Sequence, residues 1–127
     1  MPGYPGGGQA RLLRTNQQIF LFNNETVAAA RASIAVQLDR ISHSSYPFGA
    51  SFQVKFSGDP GAFEVDIQTS DTDNDADYCT INLLNSSSQL NSNFVGRVEL
   101  PNFWAKFVRG YVRTLTNAVT TTLLVTR

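Results

Sequence analysis

The chain has 127 residues, a length that suits one domain, with 42% hydrophobic and 16% charged residues and ten basic side chains balancing ten acidic ones. That neutrality speaks against nucleic acid or an anionic membrane as an electrostatic partner, and the apolar content speaks against a wholly disordered chain. One cysteine excludes an intrachain disulfide and a multi-cysteine zinc site, while Ser, Thr and Asn, 32 of the 127 residues, supply the polarity that charge does not.

Residues 1–16 open on Met1-Pro2-Gly3-Tyr4-Pro5-Gly6-Gly7-Gly8, which has neither the basic n-region nor the apolar h-region of a secretion signal. Pro, Gly and the lack of a hydrophobic period predict an extended N-terminal arm, with a single domain over 17–127. The arm is expected to be held by another chain, with Tyr4, Arg11 and Arg14 as its contact residues; contact with its own domain is the alternative. No apolar run approaches the ~20 residues that span a bilayer. The expectation is a chain made and folded in the cytoplasm, without membrane contact.

After the arm the dominant period is two. Residues 18–23 (QIFLFN) read as a short apolar strand. Residues 26–41 alternate through Ala28, Ala30, Ala32, Ile34, Val36 and Leu38, but also place Val27, Ala30, Ile34, Leu38 and Ile41 on one helical stripe. A strand over 30–39 is preferred because its neighbours are strands. Residues 48–57 set Phe48, Ala50, Phe52, Val54 and Phe56 against Gly49, Ser51, Gln53, Lys55 and Ser57. Residues 62–69 repeat the pattern, with Phe63, Val65 and Ile67 inward and Glu64, Asp66 and Gln68 on the exposed face, Glu64 and Gln68 in solvent or at an interface. Ser57-Gly58-Asp59-Pro60-Gly61 between them is turn chemistry, and predicts that the two strands form a hairpin. Cys79 falls in a further strand segment as a small buried hydrophobe. Residues 84–91 form a polar loop, and strands follow over 92–99, 103–115 and 118–126. Seven to eight short strands between Gly, Pro, Asn and Ser turns predict an all-β fold, a β-sandwich or jelly roll.

Few residues invite catalysis. His43 lies in a Ser-rich turn, and neither it nor Cys79 has a spacing that joins it to a base or an orienting group. Gly6-Gly7-Gly8 lacks the strand, helix and Lys-Ser/Thr of a phosphate loop. The chain is therefore read as non-enzymatic and without a cofactor. Asp71-Thr72-Asp73-Asn74-Asp75-Ala76-Asp77 places carboxylates at alternate positions, as oxygen ligands of Ca²⁺ are placed. It begins like an EF-hand loop but has Ala76 where the glycine belongs and Asn82 where the glutamate belongs, so a plain solvated loop is preferred to a metal site. On the last long strand segment, Phe107, Arg109, Tyr111 and Arg113 share one face and Val108, Gly110 and Val112 the other. An outward aromatic–Arg stripe suits a subunit interface. Arg stems covering the rings, or stacking on sugars or bases, are the other readings.

Residues 52–73, FQVKFSGDPGAFEVDIQTSDTD, resemble the strand, Gly-Pro-Gly turn, strand and Ser-x-Asp signature of small virion proteins of tailed bacteriophages. Phe103-Trp104-Ala105-Lys106-Phe107-Val108-Arg109, followed by Asn117-Ala118-Val119-Thr120, is similar to the aromatic, Val-Arg and Val/Thr-rich close of that group. The resemblance covers about half the chain, roughly 48–73 and 103–126; the acidic stretch after Ser70 is longer than the pattern. It implies a β-sandwich virion structural protein on the capsid surface: a decoration (cement) protein that stabilises the phage head by contacts with the major capsid protein. A homo-oligomer, such as a trimer, is implied with it. The alternative is a glycan- or receptor-binding module of a phage fibre. The interface residues expected are Tyr4, Arg11, Arg14, Phe107, Arg109, Tyr111 and Arg113.

Overall fold

The computed structural model describes residues 11–13, 17–38, 49–101 and 105–127. These residues form nine strands: β1 (Arg11–Leu13), β2 (Gln18–Thr26), β3 (Arg31–Leu38), β4 (Gly49–Phe56), β5 (Phe63–Ser70), β6 (Cys79–Leu84), β7 (Val95–Pro101), β8 (Phe107–Leu115) and β9 (Thr120–Thr126). One sheet runs β1-β3-β8-β5-β6 and the other β2-β9-β4-β7. With β1 set aside, the two four-stranded layers have the strand order of a jelly roll, two interleaved Greek keys that place most consecutive strands in opposite sheets. The expected sandwich is thus present, and residues 31–38 are strand rather than helix.

The core follows from alternation. Phe52, Val54 and Phe56 of β4, with Leu21 and Phe22 of β2 and Leu123 and Val125 of β9, are buried on one sheet, and Phe63, Val65 and Ile67 of β5 are buried on the other, all in one core cluster. Full burial of one such side chain contributes roughly 1.5–3 kcal/mol. Phe56 and Phe63 meet with ring centroids 5.1 Å apart and tilted by 59°, an arrangement aromatic pairs favour. Gly110 lies on the inner face of β8, where a Cβ would come within 2.2 Å of Leu123 Cδ2. The glycine therefore marks a close approach of the two sheets. Its N–H donates to Ser33 Oγ at 2.8 Å, in the bulge that β3 makes between Ala32 and Ala35.

The expected hairpin between β4 and β5 does not form. β4 pairs with β7 and β9, whereas β5 pairs with β6 and β8. The turn at 57–61 reverses the chain between sheets rather than within one. Its polar groups bond to a second arch, between β8 and β9: the N–H of Asn117 donates to Pro60 O at 3.0 Å and that of Thr116 to Ala62 O at 3.0 Å. Gly61 has φ +67°, and a Cβ there would crowd Asn117 and Thr116. Turn residues state that the chain reverses; the partner arch decides in which plane.

The arm reading also changes where the chain is described. Arg11–Leu13 add a parallel strand to the edge of β3, and Leu13 is fully buried in the core. The sandwich thus begins before residue 17. Tyr4, Arg14 and His43 lie outside the described residues, and Arg11 is placed here by its backbone in β1. No helix among the described residues is long and apolar enough to cross a membrane.

Candidate functional site: a cleft between the acidic loop and β8

Residues 71–78 connect β5 to β6, the one pair of consecutive strands joined as a hairpin among the described residues. Local hydrogen bonds curl this connection. The N–H of Thr72 donates to Ser70 Oγ at 3.0 Å, Thr72 Oγ1 donates to Asp77 Oδ2 at 2.5 Å, and Asn74 Oδ1 accepts from the N–H of Ala76 at 3.3 Å. Asn74 thereby caps a single 3-10 turn over Asp75–Asp77. The acidic side chains find separate partners: Asp73 accepts from the Tyr78 hydroxyl at 2.8 Å, and Asp75 accepts from Arg109 at 2.7 Å. Among the described residues no group of three or more acidic, His or Cys side chains is placed to hold a metal ion.

The curled loop lies on the outer face of the five-stranded sheet and covers part of it, over Gln68 and Arg109. Arg109, on that face of β8, is nine-tenths buried. Its Nε donates to Gln68 Oε1 at 2.9 Å, its Nη1 to Asp75 Oδ1 at 2.7 Å, and its guanidinium carbon lies 3.9 Å from the Tyr78 ring centroid. Burial, and then the hydrogen bond to the Asp73 carboxylate, push the Tyr78 phenol well above its ordinary range. Gln68 continues to Thr80, which donates to Asp66 Oδ2 at 3.3 Å. Asp66 Oδ2 also accepts from Nε and Nη2 of Arg113, and that hydrogen bond, followed by the charge of the carboxylate, raises the Arg113 pKa. Asp66 is fully buried, and its Oδ1 has no hydrogen-bond partner among the described residues.

Several expectations are corrected here. Asp66 and Gln68, placed on an exposed face by the alternation of β5, are 0% and 8% exposed because the loop and the Arg side chains of their own chain lie over them. The aromatic–Arg stripe does face outward from the core, yet Phe107 and Arg109 are only 5% and 7% exposed, covered within their own chain. Tyr111 stays half-buried and Arg113 exposed. Cys79, expected in the core, is exposed at the start of β6. The acidic loop and the stripe were separate features in the sequence; the fold joins them through Asp75 and Arg109.

Beside this network is an open cleft of about 490 Å³. Tyr78 of the loop, Arg31 and Ala32 of β3, and Arg109, Tyr111 and Arg113 of β8 contribute to its lining. Pairing of Ala32 with Tyr111 across β3 and β8 sets a small side chain beside a ring and leaves room above the sheet. Arg31 is held by an ion pair with Glu25. Sequence reasoning missed Arg31, Gln68, Asp66 and Tyr78. The available signal was charge complementarity between an Asp-rich loop and an Arg-bearing strand.

No family model, curated protein or solved structure matches this chain. The cleft and the exposed rim of the sandwich are accordingly interpreted from their own chemistry.

Proposed function

We propose that the chain is a non-enzymatic structural protein of a phage virion, a decoration protein that stabilises the head through contacts with the major capsid protein and with its own copies. The observation that carries the protein–protein part is the position of the exposed apolar side chains. Leu12, Phe20, Ile34 and Ile81 are the large hydrophobic residues exposed among the described residues. Leu12, Phe20 and Ile81 lie on edge strands β1, β2 and β6, and Ile34 lies on β3, beyond the stretch that β1 covers. Open edges with apolar side chains are templates for another chain, and proteins that stay alone usually blunt them with charge. The rim thus takes the place of the Phe107–Arg113 stripe as the contact surface. The phage assignment rests on the resemblance of 52–73 and 103–120 and is compatible with a jelly roll, a fold used in viral capsids and also in lectins and cupins.

The test is co-sedimentation of the purified chain with phage heads assembled in its absence. Saturable binding at a fixed ratio to the major capsid protein is expected, with Ile34→Asp and Ile81→Asp each weakening it at unchanged melting temperature. Absence of co-sedimentation at saturating protein would overturn the reading.

A further inference from the structure

We propose that the cleft between the acidic loop and β8 binds a saccharide that carries a carboxylate, with the sugar ring against Tyr111 and the carboxylate at the guanidinium groups of Arg31 and Arg113. The inference concerns the cleft alone and does not depend on docking to a head.

The size is that of a small-molecule site: about 490 Å³ falls in the ~300–1,000 Å³ range of such clefts. The hydrogen-bonding groups decide the sign of the ligand. Arg109 uses Nε and Nη1 on Gln68 and Asp75, which leaves Nη2 without a partner among the described residues. Arg113 uses Nε and Nη2 on Asp66, which leaves Nη1; Arg31 uses Nη2 on Glu25, which leaves Nε and Nη1. Three guanidinium groups with spare N–H donors therefore line one cleft. Asp75 is the single carboxylate in the lining, and one of its oxygens is already taken by Arg109. Spare donors in planar forks thus outnumber the one free carboxylate oxygen, which suits a ligand carboxylate. A ligand carboxylate can take these spare donors while the pairs to Asp66 and Glu25 stay intact.

The rest of the lining points to a sugar. Tyr111 and Tyr78 supply aromatic surface; Arg109 lies 3.9 Å from the Tyr78 centroid and Arg113 5.6 Å from that of Tyr111, so Tyr111 is the less closely covered ring and the platform. The C–H face of a pyranose packs on one ring and needs no second ring opposite. Its hydroxyls can donate to Asp75 and accept from Arg109. Gln68 and Arg109 are held by the network beneath, so the base of the cleft is preorganised. A nucleotide would also match an aromatic ring and a set of Arg side chains, but a base is best held between two faces, and the cleft offers one.

The experiment is calorimetric titration of the whole chain with digalacturonate, a hyaluronan tetrasaccharide and sialyllactose, each beside its methyl ester, and with AMP. The expected result is saturable binding of at least one acidic saccharide, at least tenfold weaker for its ester. Arg31→Gln and Tyr111→Ala should each weaken that binding tenfold or more, and Tyr111→Phe, which keeps the ring, should retain it. Melting temperatures near that of the parent chain confirm that the variants fold. No binding of any acidic saccharide at millimolar concentration overturns the proposal. So does equal binding of acid and ester, tighter binding of AMP, or binding indifferent to both Arg31→Gln and Tyr111→Ala.

Discussion

Gln53 on β4 and Gln68 on β5 hold the same kind of position, an outward polar residue on a strand whose opposite face buries aromatic and aliphatic side chains. Gln53 is exposed, and Gln68 is 8% exposed. The difference belongs to the two sheets. The outer face of β2-β9-β4-β7 presents Gln53, Lys55 and Arg97 to water, whereas that of β1-β3-β8-β5-β6 lies partly under the 71–78 loop and is tied together from Asp75 through Arg109, Gln68, Thr80 and Asp66 to Arg113. Side-chain alternation assigns a residue to a face. Whether that face meets water depends on what the chain lays over it. Buried polar groups then require partners, and on the covered sheet they have them, apart from Asp66 Oδ1.

The inner faces serve as the control, because there the two sheets are equivalent. Phe52→Ala and Phe63→Ala should each cost about 3–5 kcal/mol in denaturant unfolding. A value below about 1 kcal/mol at either position would show that the shared core is not where the alternation puts it. The outer faces should differ sharply. Arg109→Ala should cost about 2 kcal/mol, because Gln68 loses its charged donor and the loop its anchor; most of this comes from the buried hydrogen bond, since Asp75 is largely exposed and screened. Lys55→Ala on the open sheet should stay within about 0.5 kcal/mol. Hydrogen exchange should report the same contrast, with protection lost over 71–78 in the Arg109 variant.

Next in size is the pair that defines the comparison. Gln68→Ala strips the acceptor from Arg109 Nε and should cost about 1 kcal/mol, while Gln53→Ala should be near neutral. Equal effects at the two glutamines would remove the distinction between covered and open faces. The smallest effect expected is a pH dependence. The Tyr78 phenol holds its proton more tightly in the folded chain than in the unfolded one, where its pKa is about 10. Its contribution is therefore complete below pH ~10 and declines as pH rises beyond that value. Thermal unfolding of the parent chain should fall off faster above pH ~10 than that of Tyr78→Phe; parallel curves would mean that the phenol is not held in the loop as described.

The candidate site was half legible. Alternate spacing singled out Asp71–Asp77 and Phe107–Arg113, because runs of carboxylates and of Arg and aromatic side chains at every second position stand out in a chain with 16% charged residues. Their union was not legible, since Asp75 and Arg109 are 34 residues apart and a loop's direction of fold is set by the bonds it finds. Tyr78 and Arg31 gave no local signal at all, because each acquires its role from a neighbour on another element.

Period two in 48–57 and 62–69 determined strand, face and core for β4 and β5, because a pleated backbone sends successive side chains to opposite sides whatever the partners are. The Gly-Asp-Pro-Gly segment likewise determined a reversal, because Pro60 and Gly61 restrict the backbone locally. Pairing was decided only by the tertiary structure. β4 lies between β7 and β9, β5 lies between β6 and β8, and the turn between them is held by the arch at 116–119. Strand pairing in a jelly roll is a competition among distant partners for hydrogen bonds and buried area, and neither quantity is written in any one segment. The same reason put Asp66 and Gln68 on an open outer face and Arg109 in a stripe suited to a subunit interface: their burial is a property of the loop that crosses them, not of the strands that carry them.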